Sequence, residues 1–249
     1  MNFINETFDK ARENISFILT ALAITIGVAF IAFVFQRYLF KDRIRKLERT
    51  RRITYTALFS SMAAVLMLLE FPLIFIAPEF YKLDFSEIPV LICTFFMGPI
   101  YGVISEFIKV VLKIMLKGTS TAFVGDFANF IIGCTFVLPA SIIYHAKPSR
   151  KSALIGLIAG TLVMTVFGSA FNAFYLIPKF AVLFHMPVDT IVAMGTKVNS
   201  NINSVGSLVM WAVAPFNLIK GILVSLVTFF IYKPISQALK MEHHKHRKQ

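Results

Sequence analysis

The sequence predicts an all-α protein that crosses a membrane several times, and three observations carry that reading. Hydrophobic residues make up 57% of the 249 residues and charged ones 15%, a balance that leaves too little polar surface to keep a water-soluble domain from associating through apolar patches. Several apolar runs reach the roughly 20 residues a helix needs to cross a hydrocarbon core of about 30 Å. An open sheet at that depth would leave its edge groups unpaired, so helices are the form those runs take.

The first run, residues 15–38, follows a mixed-charge segment (Glu6, Asp9, Lys10, Arg12, Glu13). A secretory leader would begin with a basic segment and end in a small-residue cleavage site, so this run reads as a retained helix. Further spans are expected at 53–76, 87–97, 100–117, 123–145, 152–178 and 205–232, which makes seven crossings. The third is too short to cross alone, and Gly98-Pro99 behind it marks a sharp turn. It is expected to cross incompletely or to pack against its neighbour.

Basic residues orient these spans, because short cytoplasmic loops are enriched in Lys and Arg. Arg43, Arg45, Lys46, Arg49, Arg51 and Arg52 lie between spans one and two, Lys147, Arg150 and Lys151 between five and six, and Lys245, Arg247 and Lys248 in the tail. All three clusters fall on one side. That side is expected to be cytoplasmic, with the C-terminus there and the N-terminus and the loops 77–86, 117–122 and 179–204 outside. The linker 41–52 separates a lone helix from six crossings. Residues 1–52 therefore read as an added transmembrane helix with a basic cytoplasmic linker, 53–235 as the six-helix membrane domain and 236–249 as a basic cytoplasmic tail. No internal repeat is visible, which counts against the inverted-repeat folds of many secondary transporters.

A net charge of +12 raises the question of nucleic acid, but the basic residues sit in short clusters between apolar spans rather than along one face. The lipid bilayer is the partner this pattern suits, and no nucleic acid is expected. Cys93 and Cys134 lie inside apolar segments and read as buried thiols. No P-loop, nucleophile elbow or metal-spaced Cys and His set occurs: His145 and His185 are isolated, and His243, His244 and His246 belong to the charged tail. Catalysis, a metal and a resident cofactor are not expected.

Polar groups inside the spans are the informative ones, since an ion at mid-bilayer costs at least about 2.5–3.5 kcal/mol on insertion scales. Lys220 lies deep in the last span, and Asn217, three residues earlier, shares its helical face. Together they offer an amide and a cationic donor. They serve either a ligand or an interhelical bond with a carboxylate, and the cost of an intramembrane ion favours a ligand. Asn172 in the preceding span falls at a comparable depth, in the outer half of the bundle. Asn129 lies in the outer half of another span and fits an interhelical hydrogen bond as well as a ligand contact.

Glu106, Lys109 and Lys113 form one helical stripe that Asp126 can complete as an ion-pair network. A structural role suits this network better than a proton relay, since buried charges need partners in any case. The loop 77–89 mixes aromatic and charged residues, including Leu83 and Asp84, and suits either a cover over a pocket or an interfacial belt. Ala57 with Ser61, and Gly156 with Gly160, have the small-xxx-small spacing that lets helices approach closely, within the chain or against a partner.

Four stretches carry a family resemblance: Lys82-Leu83-Asp84-Phe85-Ser86-Glu87-Ile88-Pro89; Gly98-Pro99 with Gly102; Gly125-Asp126-Phe127-Ala128-Asn129-Phe130; and Pro215-Phe216-Asn217-Leu218-Ile219-Lys220-Gly221. In this order the chain resembles, over residues 53–235, the riboflavin-binding S components (the RibU group) of energy-coupling-factor (ECF) vitamin transporters. The resemblance implies a six-helix substrate-binding bundle that takes riboflavin from outside the cell. It also implies an ECF transmembrane coupling subunit and two ABC-type ATPases as partners. By position it assigns the flavin ring to Asn172, Asn217 and Lys220, with Asn129, Leu83 and Asp84 in the matching stretches, and docking on the coupling subunit to Ala57 and Ser61. Ser61 stands where the family's motif has a second Ala, and Asp126 where Glu is frequent.

Riboflavin has an apolar edge and an edge of mixed donors and acceptors, so apolar walls with a few placed polar groups suit it. Two other readings are an S component for another vitamin, such as cationic thiamine, which Lys220 would repel, and a solitary proton-coupled transporter. The extra helix at 15–38 departs from the family's six.

Overall fold

Glycine, proline or a capping hydroxyl ends most of the helices. The computed structural model of the chain describes residues 15–40 and 47–246. The mixed-charge start, Arg43, Arg45 and Lys46 of the linker, and Arg247 and Lys248 of the tail lie outside the described residues. Helix α1 (Ile15–Val34) passes into a π-helical turn, Phe35–Leu39. Helix α2 (Arg49–Leu68) stops well short of the expected position 76. Pro72 has no N–H and turns Phe71 away from the helical region, and these two residues build β1 (Phe71–Pro72). This strand pairs antiparallel with β2 (Lys82–Leu83), Phe71 opposite Leu83.

Helix α3 (Glu87–Met97) is short, as expected, and all of its residues are buried, packed against α2 and its other neighbours. Gly98 then turns the chain at φ 108°, a region open to glycine, and Pro99 starts α4 (Pro99–Lys117). Helix α5 (Val124–Ala146) follows, and Ser149 caps α6 by accepting a bond from the Ser152 N–H. Helix α6 runs over Arg150–Leu183 with a π-helical turn at Asn172–Leu176. The expected outer loop 179–204 contains a further helix, α7 (Val188–Thr196). Helix α8 begins at Val205–Leu208 under a Ser204–Ser207 capping box, widens into a π-helical turn at Val209–Val213 and continues as Ala214–His246. The expected end at 232 fails because residues beyond Pro234, such as Gln237, Ala238, Leu239 and Lys240, are good helix formers.

Among the described residues four helices are long and apolar enough to cross a membrane: Ile15–Tyr38, Val124–Ala146, Arg150–Leu183 and Val205–Gln237. Helix α4 carries Glu106, Lys109, Lys113 and Lys117, and α2 begins with three arginines. The close approach of α5 and α6 depends on small residues. A Cβ on Gly156 would lie 2.6 Å from the Ala140 carbonyl oxygen, and one on Gly160 2.5 Å from that of Phe136. That small-residue pair serves packing within the chain.

Helix α1 lies along α4 and α5, with Ala32 its one fully buried residue. Phe17 meets Phe127 edge to face near the start of α5, and Phe40 meets His145 near its end, so the two helices run the same way. Gln36 Oε1 accepts from the Ile100 N–H at 3.1 Å, which satisfies one of the donors orphaned at the start of α4.

Candidate functional site

Two prolines shape the place where α6 and α8 meet. Pro178 and Pro215 have no N–H to offer the carbonyls four residues earlier, at Phe174 and Trp211. Phe174 and Trp211 are the central residues of the π-helical turns, and the two turns touch. The widened turn in α6 begins at Asn172, which is buried, and α8 places Asn217 and Lys220 beyond its own turn.

The loop between β1 and β2, with the residues that follow it, reaches into this junction and engages the same polar groups. Tyr81 donates its hydroxyl to Asn172 Oδ1 at 2.8 Å, and Asn172 Nδ2 donates to the Gly168 carbonyl at 2.8 Å. Lys220 Nζ lies 2.8 Å from Asp84 Oδ2, while Asp84 Oδ1 accepts from the Ser86 N–H at 2.9 Å. Asn217 is different, because its buried Nδ2 has no hydrogen-bond partner. That amide sits where a Cβ on Gly168 would be 3.0 Å away, so the glycine makes its room. An unsatisfied buried donor costs about 1–3 kcal/mol, and it is open to an acceptor from a ligand.

The walls are apolar. Leu83 is fully buried among Ile177, Ala181, Leu208, Ala212 and Phe216, and the Tyr81 ring lies 5.8 Å from that of Phe216. Asn129 is half-buried on α5 with no hydrogen bond to Asn172, Asn217 or Lys220. Three residues along, Ile132 comes within 3.7 Å of the Cβ position of Gly168, so Asn129 lies on the α5 face turned toward the junction. Asn172, Asn217, Lys220, Leu83 and Asp84 thus come together, and Asn129 borders them.

The ionic stripe of α4 divides into two. Lys109 Nζ pairs with Glu106 at 2.6 Å and with Glu87 of α3 at 3.0 Å, all three fully buried, whereas Lys113 pairs with Asp126 of α5 at 2.6 Å. Glu106 and Glu87 share the Lys109 ammonium and Asp126 has that of Lys113, so each buried carboxylate lies against a cation. Outside the spans, Glu70 bonds both Lys82 and Lys117, at 3.0 and 2.6 Å, and clips the loop to the end of α4. Burial pushes the Glu70 carboxyl up, but hydrogen bonds and charge from Lys117 and Lys82 outweigh it and hold the carboxyl below the usual range. Ala57 and Ser61 are exposed on α2, and α1 packs elsewhere.

Sequence reasoning passed over Tyr81 and Glu87 as individual residues. Tyr81 stands amid aromatics that suit an interfacial belt, and nothing local says which helix the loop will meet. Glu87 at the mouth of a short apolar helix was the available signal, since an acid there needs a buried partner.

A sequence model of the ECF transporter, substrate-specific component, matches residues 51–232. The riboflavin transporter RibU of Staphylococcus aureus (strain TCH60) is 34% identical over 194 residues, which cover 78% of this chain and 95% of that protein. The riboflavin transporter FmnP of Bacillus subtilis (strain 168) is 31% identical over 199 residues, 80% of this chain and 98% of that protein. A solved structure, described as "Structure and mechanism of the S component of a bacterial ECF transporter", matches with a TM-score of 0.60 at 34% identity and covers 78% of this chain and 99% of that one. The family match begins at residue 51 and leaves α1 outside it.

Proposed function

Because the chain belongs to the family of substrate-specific components of ECF transporters, we propose that it captures riboflavin from outside the cell for ATP-driven import. It is a multi-pass membrane transport component, not an enzyme. The names of the S. aureus and B. subtilis relatives support riboflavin as the ligand. The observation that carries the site assignment is the buried, unpartnered Asn217 amide next to Lys220 and Asn172, whose ammonium and amide oxygen are held by Asp84 and Tyr81.

In this reading the loop residues stand in for the ligand. The donor–acceptor edge of the flavin takes the Asn217 amide and competes with Tyr81 for Asn172 and with Asp84 for Lys220. Leu83, Phe216 and Ile177 supply apolar walls, and Asn129 the border. A ligand that offers equivalent bonds in exchange leaves the bundle intact, which suits tight binding followed by release on a conformational change.

A coupling subunit docks on the exposed Ala57–Ser61 face of α2, and two ABC-type ATPases drive it, since this chain has no P-loop. The basic end of the bundle and the C-terminus face the cytoplasm and the N-terminus lies outside. Residues 1–52 are an accessory element, 53–235 bind the ligand and 236–249 are a cytoplasmic tail. Detergent-purified protein from cells grown with riboflavin is expected to be yellow and to release flavin on denaturation. Colourless protein that leaves the fluorescence of added riboflavin unquenched would contradict this function.

A further inference from the structure

We propose that the seam between α6 and α8 holds one anionic phospholipid, with its headgroup at the basic end of the bundle. Two neighbouring cavities on this seam match the two halves of such a molecule. A groove of about 400 Å³ is lined by Leu157, Ile158, Leu162, Ile222, Phe229 and Phe230 and opens to the bundle's outside. At its end lies a cavity of about 250 Å³ lined by Ser149, Arg150, Tyr144, Tyr232, Lys233 and Ser236. Leu154 of the groove is one helical turn from Arg150 of the cavity, and Phe229 one turn from Lys233, so an acyl chain in the first places its headgroup in the second.

The chemistry of the end cavity is that of an anion site. Arg150 and Lys151 open α6, which has no acidic residue in its first turn, so cations sit at the helix end that repels them. No carboxylate pairs with Lys147, Arg150, Lys151 or Lys233 among the described residues. Tyr232, whose side chain is largely buried, lines the cavity and makes no hydrogen bond, which leaves its hydroxyl free to meet a phosphate oxygen there. Basic pockets between transmembrane helices take lipid headgroups for these reasons. An apolar groove continuous with the cavity selects a lipid over a free anion.

The test measures the Tm of the full chain in uncharged detergent with added phosphatidylglycerol, phosphatidylcholine or inorganic phosphate. Phosphatidylglycerol is expected to raise Tm by several degrees, phosphatidylcholine by much less, and phosphate not at all. The double variant Arg150→Gln/Lys233→Gln abolishes the difference between the two lipids and keeps flavin binding. Equal responses to both lipids, or a double variant that still prefers phosphatidylglycerol, overturn the proposal. A phosphate response equal to that of phosphatidylglycerol assigns the site to a free anion and overturns the lipid. A Tm that rises with protein concentration and ignores lipid gives the groove to a second copy, with the same result. Should the double variant fail to fold, Ile222→Trp, which fills the groove and keeps both cations, carries the test: an undiminished response to phosphatidylglycerol there is equally fatal.

Discussion

Lys220 and Asp84 form a buried ion pair at 2.8 Å across 136 positions of sequence, joining the last helix to the loop that precedes α3. Removing either partner strands a charge in a nearly dry site, at a cost of about 3–5 kcal/mol. Asp84→Leu and Lys220→Leu are each expected to lower the Tm of the ligand-free protein sharply, and the double variant to cost clearly less than their sum. A thermal-unfolding cycle in detergent measures the coupling, and strict additivity would show that the pair carries no interaction energy.

Asn217→Leu separates binding from stability. It removes an unsatisfied buried amide, so the ligand-free protein is expected to be as stable as the parent or more so. Riboflavin affinity falls about tenfold or more with the loss of a hydrogen bond worth roughly 1.4 kcal/mol. Combined with Lys220→Leu, the loss exceeds about a hundredfold. Fluorescence-quenching titrations report the affinities, and unchanged affinity in the double variant removes both residues from the site.

Tyr81→Phe deletes the hydroxyl that holds Asn172 and keeps the ring beside Phe216. If the ligand competes with that bond, its loss strengthens binding about twofold to fivefold, the worth of roughly 0.5–1 kcal/mol. Weaker binding would mean instead that the Tyr81 hydroxyl touches the ligand.

Ala57→Trp and Ser61→Trp place bulk on a face of α2 that is exposed among the described residues. Flavin binding by the isolated chain is expected to remain within about twofold of the parent. ATP-dependent uptake in vesicles containing the coupling subunit and ATPases is expected to drop at least about tenfold, as for bulk placed at the centre of an interface. Full uptake would move the docking face away from these two residues.

Glu70 makes the loop acid-sensitive. Its folded-state carboxyl titrates below its unfolded value, so the clip to Lys82 and Lys117 contributes fully above the ordinary Glu range near pH 4.5. That contribution is lost as pH falls through the lower folded value. Acidification from pH 6 toward pH 3 should therefore lower the Tm of the parent more than that of Glu70→Gln, and parallel curves would show that the clip adds nothing.

Much of this was legible in the sequence because the membrane constrains composition so strongly. Residues 87–97 and 205 onward were placed nearly to the residue, as a Gly-Pro turn and a serine cap mark their boundaries. The run 69–76 misled, since an apolar stretch does not itself distinguish a helix from a loop that packs inward, and Pro72 decided it. The helix Val188–Thr196 was missed because nine residues are too few for hydropathy to separate it from a loop.

By itself the sequence determined that the chain is a helical membrane protein and that Asn172, Asn217 and Lys220 are among the costly polar residues in its spans, because each such residue in hydrocarbon demands a partner. Only the tertiary structure decided who those partners are. Asp84 partners Lys220 and Tyr81 partners Asn172, both from the stretch before α3 whose destination depends on packing across the bundle, and no local periodicity encodes a contact 136 residues away. The structure also left the Asn217 amide nitrogen without a partner beside Lys220 and Asn172, and on that juxtaposition the proposed ligand site rests.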